Sequence, residues 1–120
     1  MPTAKILIID DLERVRELYA IFLSKKGFTI LEAKNGKEGL DLVRRHAPAL
    51  VLLDVMLPDL SGMEVLHKIR EMNNDTKVIM LSGLEDDDLK EEACLAGATD
   101  FLSKTLDVVE IVEAVSRALL

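Results

Sequence analysis

Residues 50–54 read Leu50-Val51-Leu52-Leu53-Asp54, four consecutive apolar side chains closed by a carboxylate. A short apolar run without alternation is expected where a strand is covered on both faces. Two further runs share the pattern: Ile6-Leu7-Ile8-Ile9 leads into Asp10-Asp11, and Val78-Ile79-Met80-Leu81 leads into Ser82. Together they predict central strands at Lys5 to Ile9, Leu50 to Leu53 and Lys77 to Leu81. Two mixed runs, Phe28 to Ala33 with Thr29 and Glu32, and Asp100 to Ser103, carry the polar positions of strands nearer the sheet edges. Amphipathic stretches separate the five runs. That alternation predicts an α/β fold with one doubly wound parallel sheet flanked by helices.

Helix starts are marked by side chains that accept hydrogen bonds from free backbone N–H groups. Ser61 with Glu64 forms a capping box, and Asn35 with Glu38 and Asp107 with Glu110 repeat its offset. Asp86, Asp87 and Asp88 put negative charge where a helix macrodipole favours it. Gly27 and Gly97 suit helix C-termini. No repeat beyond the βα alternation and no linker-like tract interrupts the chain, so residues 1–120 are expected to be one domain.

Composition narrows the function classes. A chain of 120 residues with 49% hydrophobic and 31% charged side chains builds one substantial core. Its net charge of −7 opposes direct binding to nucleic acid, which calls for a basic stripe. No apolar run reaches the ~20 residues of a membrane span. The opening Met1-Pro2-Thr3-Ala4-Lys5 shows no secretory cleavage pattern, and a cytoplasmic location is expected. Cys94 is the sole cysteine, which excludes an internal disulfide. Its neighbours Leu89 and Leu95 predict a buried free thiol on the apolar side of its helix. His46 and His67 fall in helical stretches expected to be exposed, and no spacing pairs them as ligands or as a general base.

Ligands of open α/β sheets sit outside the carboxyl ends of the strands. Those ends are polar here: Asp10-Asp11 after the first strand, Asp54 after the third, Ser82 after the fourth and Lys104 after the fifth. Singly, each has an ordinary reading: a helix cap for Asp10 or Asp11, a solvated loop residue for Asp54, turn chemistry for Ser82 beside Gly83, an exposed lysine for Lys104. Jointly they do not. Three carboxylates repel one another unless Lys104 and a cation neutralise them. Mg²⁺ fits, taking one or two carboxylates, a backbone carbonyl and a phosphoryl oxygen among its ligands. Beside such an ion, Asp54 is the candidate nucleophile toward phosphorus.

Carried across the whole chain, Lys5-Ile-Leu-Ile-Ile-Asp-Asp11, Leu52-Leu-Asp54, Met56-Leu-Pro58, Ser61-Gly62, Leu81-Ser-Gly83, Ala96-Gly-Ala98 and Asp100-Phe-Leu-Ser-Lys104 resemble the CheY-like receiver domains of bacterial two-component response regulators. The resemblance implies a flavodoxin-like (βα)5 fold with strand order 2-1-3-4-5. It implies that Asp54 takes a phosphoryl group from a phosphohistidine and that Asp11 and Asp54 ligate Mg²⁺ directly. Asp10 would act through water and the Met56 carbonyl would add a ligand. Ser82 would be the switch hydroxyl, Lys104 the phosphoryl-pairing cation and Phe101 the coupled aromatic. By itself, Phe101 also reads as plain core.

The implied partners are a sensor histidine kinase or phosphotransfer protein, docking around Arg14, Leu18 and Phe22, and a downstream effector or attached output domain. No membrane partner and no direct nucleic-acid contact are implied, and homodimerisation on phosphorylation stays open. Such a domain is no enzyme beyond catalysing its own phosphorylation and dephosphorylation. One departure is Thr105, where the family carries a cis proline; it leaves the peptide state and the Lys104 placement open. Apolar Met56 and Leu84 beside the site predict restricted water access and a long-lived phosphoform. An aspartate-nucleophile phosphatase would need a second acid where Met56 stands. A flavin protein would need N–H donors where the first loop offers acids. A receiver-like module that docks partners without phosphorylation is the remaining alternative. The ending Ala118-Leu119-Leu120 is read either as a minimal regulator or as a receiver cut from a longer protein.

Overall fold

The computed structural model describes residues 3–72 and 75–120. Met1 and Pro2, the start of the segment read for a secretory signal, lie outside the described residues. The elements are β1 (Lys5–Ile9), α1 (Glu13–Lys25), β2 (Thr29–Ala33), α2 (Gly36–His46), β3 (Leu50–Asp54), α3 (Gly62–Met72), β4 (Lys77–Ser82), α4 (Asp87–Leu95), β5 (Asp100–Ser103) and α5 (Val108–Ala118). All strand pairs are parallel, in the order β2-β1-β3-β4-β5. The three uninterrupted apolar runs are therefore the three interior strands.

Strand periodicity explains why those runs do not alternate. Ile6, Ile8, Leu50, Leu52, Ile79 and Leu81 face Tyr19 and Leu23 of α1 and Ile111 and Val115 of α5. Leu7, Ile9, Val51, Leu53, Val78 and Met80 face the opposite layer, meeting Val43 of α2, Leu66 and Ile69 of α3 and Ala93 of α4. Both faces are dry, and each fully buried aliphatic side chain contributes roughly 1.5–3 kcal/mol.

Three boundaries differ from the sequence reading. Phe28 lies outside β2, because its N–H donates to the Leu23 carbonyl at 3.3 Å and closes α1, with Gly27 at φ +93°. The sheet continues one residue further in β3 and β4, where Asp54 aligns with Leu81 and Ser82 with Ser103. Asn35 and Asp86 cap their helices as expected, accepting from Glu38 N and Leu89 N. The Ser61 hydroxyl accepts from Glu64 N at 3.1 Å. Asp107 caps Val109 N instead of the Glu110 N–H that the box offset implies. A further cap comes from outside the helix: Asp59 accepts from Gly36 N at 2.8 Å and Lys37 N at 2.9 Å, fastening the loop after β3 to the start of α2.

Cys94 corrects a prediction, since its thiol is exposed. Helix α4 turns Leu89 and Ala93, four residues apart, toward the sheet, which leaves Cys94 outside and Leu95 83% exposed. His67 is exposed, whereas His46 is half-buried. Arg70 of α3 donates to the carbonyls of Thr76 (2.6 Å) and Gly97 (2.8 and 3.0 Å), joining the loops that precede β4 and follow α4. No helix among the described residues is long and apolar enough to cross a membrane.

Candidate functional site

The carboxyl ends of β1, β3 and β5 bring Asp10, Asp54 and Lys104 together. Asp10 and Asp54 are only 2% and 6% exposed. Three bonds hold Asp10: its N–H donates to the Ala33 carbonyl (3.1 Å), its Oδ1 accepts from Leu12 N (2.9 Å), and its carbonyl accepts from Arg16 Nη1 (2.7 Å). Asp10 therefore shapes the loop and does not cap α1, whose N-cap position is Leu12. Asp54 Oδ1 accepts from Met56 N at 3.1 Å. Behind it, Gly62 lies so close that a Cβ would collide with the Asp54 carbonyl oxygen and lie 2.6 Å from Val55 Cα.

The Lys104 ammonium sits 2.9 Å from Asp54 Oδ2 and 2.8 Å from Asp10 Oδ2. The Lys104–Thr105 peptide is trans, as are all described peptides. The Asp10 contact is an ion pair by distance, yet Oδ2 receives no well-directed hydrogen bond and is otherwise buried. Burial pushes the Asp54 carboxyl up; the Lys104 bond lowers it, and Asp10 repulsion raises it again. Burial alone would lower Lys104, but its close contacts with the Asp10 and Asp54 carboxylates hold its pKa above the usual lysine value. The ammonium thus stays charged, while the carboxylates remain under-compensated.

Asp11 is exposed and completes the cluster. Asp10, Asp11 and Asp54 each offer an oxygen, all within 4.8 Å of one another. One ammonium against three carboxylates leaves two negative charges, and Asp10 Oδ2 lacks a directed donor. An all-oxygen set of this kind suits a hard divalent cation.

Ser82 is brought to the same end of the sheet but its hydroxyl does not reach Asp54. It donates to the Leu84 carbonyl (2.9 Å) and accepts from Leu84 N (3.1 Å). Phe101 is buried between the sheet and α4, aligned with Met80. Met56 and Leu84, the apolar residues expected beside the site, are themselves 72% and 67% exposed, while Asp54 is buried. Arg16, Asp59 and buried Tyr19 were not singled out by sequence. Burial pushes the Tyr19 phenol up, and the Lys104, Asp10 and Asp54 charges act on it too. Arg16 also pairs with Glu32 at 3.3 Å; no local motif marks contacts made across such separations.

The model of the response regulator receiver domain matches residues 6–116. The chain belongs to the response regulator receiver family. This receiver is 38% identical over 115 residues to the transcriptional regulatory protein SrrA of Staphylococcus aureus, covering 96% of this chain and 47% of that protein. It is 35% identical over 119 residues to the uncharacterized transcriptional regulatory protein YkoG of Bacillus subtilis, covering 99% and 52%. The chain thus spans about half the length of these curated relatives. Among solved structures it resembles a CheY-like receiver domain protein from Methanospirillum hungatei, with TM-score 0.94 and 26% identity over 98% of this chain and 94% of that one. It also resembles the BeF3-activated receiver domain of Klebsiella pneumoniae RstA, with TM-score 0.89 and 27% identity over 96% and 97%. The family favours the phosphoryl-accepting reading over a phosphorylation-independent docking module.

Proposed function

We propose that Asp54 is the phosphoacceptor of this receiver, taking its phosphoryl group from a phosphohistidine on a sensor kinase or phosphotransfer protein. The observation that carries this reading is the placement of Asp54: a buried carboxylate at the end of β3, oriented by the Met56 N–H and Lys104, with Asp10 and Asp11 alongside. A carboxylate oxygen of Asp54 forms the new P–O bond as the donor's P–N bond breaks and its electron pair returns to the imidazole. Lys104 offsets charge on the equatorial phosphoryl oxygens. Asp10, Asp11 and Asp54, with the Met56 carbonyl, would hold Mg²⁺, which supplies charge neutralisation and orientation of the phosphoryl oxygens.

Signalling follows from the added charge. The Ser82 hydroxyl gives up its bonds to Leu84 and turns to the phosphoryl group. Phe101 then repacks, and the surface of α4, β5 and α5 changes for a downstream effector or attached output domain. The domain works in the cytoplasm, as one unit spanning residues 1–120.

The test is intact mass after incubation with acetyl phosphate and Mg²⁺. A gain of about 80 Da, absent in Asp54→Asn and in excess chelator, supports the reading. A gain that persists in Asp54→Asn would place the acceptor elsewhere. No gain from acetyl phosphate or from a phosphohistidine donor, with Mg²⁺ failing to raise the melting temperature, would favour the docking module.

A further inference from the structure

Lys104 is followed by Thr105, whose backbone nitrogen carries a hydrogen and whose φ is not locked by a ring. Both consequences are met locally. Thr105 N donates to Ser103 Oγ at 3.1 Å, and the Ser103 and Thr105 hydroxyls lie 2.6 Å apart, sharing a hydrogen bond. Leu106 N closes the turn on the Ser103 carbonyl at 3.2 Å, and Lys104 N donates to the Ser82 carbonyl at 2.8 Å. Every backbone N–H from Lys104 to Leu106 is thus satisfied by a neighbouring group. The one side chain in this turn that points into the acidic cluster is Lys104.

We propose that Ser103 and Thr105 are positioning residues, a hydroxyl-bonded turn that fixes the backbone of Lys104 and so aims its ammonium at Asp54. Hydroxyls that bond backbone one or two residues away narrow the conformations of a turn. Lysine has a flexible four-carbon stem, so where its backbone is held decides how often its ammonium reaches a given oxygen. Ser103 does two jobs, accepting from Thr105 N and pairing with its hydroxyl; Thr105 Oγ1 does only the second. Losing Ser103 should therefore cost more than losing the Thr105 hydroxyl. The effect on phosphoryl acceptance rests on the function proposed above, whereas the aiming of the ammonium does not.

The experiment compares Ser103→Ala, Thr105→Val and the conservative Thr105→Ser, each alone and with Lys104→Met. The first readout is the phosphorylation rate with acetyl phosphate. A single hydrogen bond of ordinary net worth corresponds to roughly twofold to tenfold, so Ser103→Ala is expected to slow the reaction about fivefold and Thr105→Val about twofold. Thr105→Ser should match wild type. In the Lys104→Met background, followed at higher acetyl phosphate, Ser103→Ala should have no further effect, because the two act as one unit. Mg²⁺ affinity should hold or rise in Ser103→Ala, since a loosened ammonium competes less for the carboxylates. Parallel loss of Mg²⁺ affinity, or a slowing that persists without Lys104, would reduce the turn to general support of the fold.

The second readout needs no phosphoryl transfer: solvent exchange of the Lys104 ammonium, followed by nitrogen-15 NMR. Exchange faster in Ser103→Ala than in wild type and Thr105→Ser is expected. Unchanged exchange overturns the proposal whatever the phosphorylation assay gives. Faster exchange in a protein that takes no phosphoryl group would refute only the function on which the rate prediction rests.

Discussion

At Asp54 two demands conflict. The nucleophile proposed there must be ionised, yet the carboxyl is buried, and burial with Asp10 repulsion outweighs the Lys104 bond to raise its pKa. For an acid with a raised folded pKa, the native state binds its proton more readily than the unfolded chain, so ionisation lowers stability as pH rises. Without Mg²⁺ at pH 7, Asp54→Asn should therefore melt above wild type, by a few degrees where the relief is about 1 kcal/mol. The gain should shrink as pH falls through the folded pKa and vanish below the unfolded carboxylate value, near ~3.9. Thermal melts across pH check it; a constant gain at all pH would assign the effect elsewhere. Gly62 is a second residue whose identity is dictated by space. Gly62→Ala would push a methyl into the Asp54 carbonyl and Val55, and should cost roughly 1–3 kcal/mol, as overpacking does. Urea unfolding measures it.

Between elements, side chains reach across loops. Asp59 holds the N-terminus of α2 through Gly36 N and Lys37 N; burial, the largest single influence, raises its pKa, but the backbone N–H bonds from Lys37, Gly36 and Leu60 together outweigh it and hold the carboxyl below its ordinary value. Removing a side-chain cap costs about 1 kcal/mol, so Asp59→Ala should unfold earlier in urea at pH 7. The sign is opposite to that of Asp54: the contribution is complete above the unfolded carboxylate pKa and is lost as pH falls through the lower folded value, so the variant and wild type should converge in acid. At this scale the sequence was most readable where periodicity and caps are local. The interior strands followed from apolar runs of Ile, Leu and Val, and α2 and α4 began at the side chains that accept from their free N–H groups. Phe28 was misplaced because Gly27 ends α1 with a turn that consumes the Phe28 N–H. Cys94 was misplaced because a short helix with Leu89, Cys94 and Leu95 permits more than one apolar face, and packing of Ala93 on the sheet chose. The capping role of Asp59 shows no local signal, since its partners on α2 lie more than 20 residues away.

For the molecule as a whole, the site assembles only when β1, β3 and β5 are in register, so binding of the proposed cation would be linked to folding. A ligand that binds only the folded chain stabilises it by about 2.7 kcal/mol at 100 times its dissociation constant. Mg²⁺ should accordingly raise the melting temperature of wild type, and Asp11→Ala, which removes an exposed proposed ligand and no core contact, should abolish most of that rise while melting like wild type in chelator. Equal Mg²⁺ shifts in both proteins would remove Asp11 from the ligand set. The convergence of Asp10, Asp54 and Lys104 was legible because strand ends in a parallel sheet point the same way. The position of the Ser82 hydroxyl was not: its bonds to Leu84 belong to the geometry of one loop.

Arg70 adds a mechanical property. By grasping Gly97 and the segment before β4, it pins the Gly97 end of α4 with side-chain hydrogen bonds, while among the described residues no side-chain hydrogen bond from outside the helix holds the Asp86–Asp88 end, next to the Ser82–Leu84 loop. A displacement at the Ser82 loop is therefore expected to be taken up at the Asp86–Asp88 end of α4 before the Gly97 end.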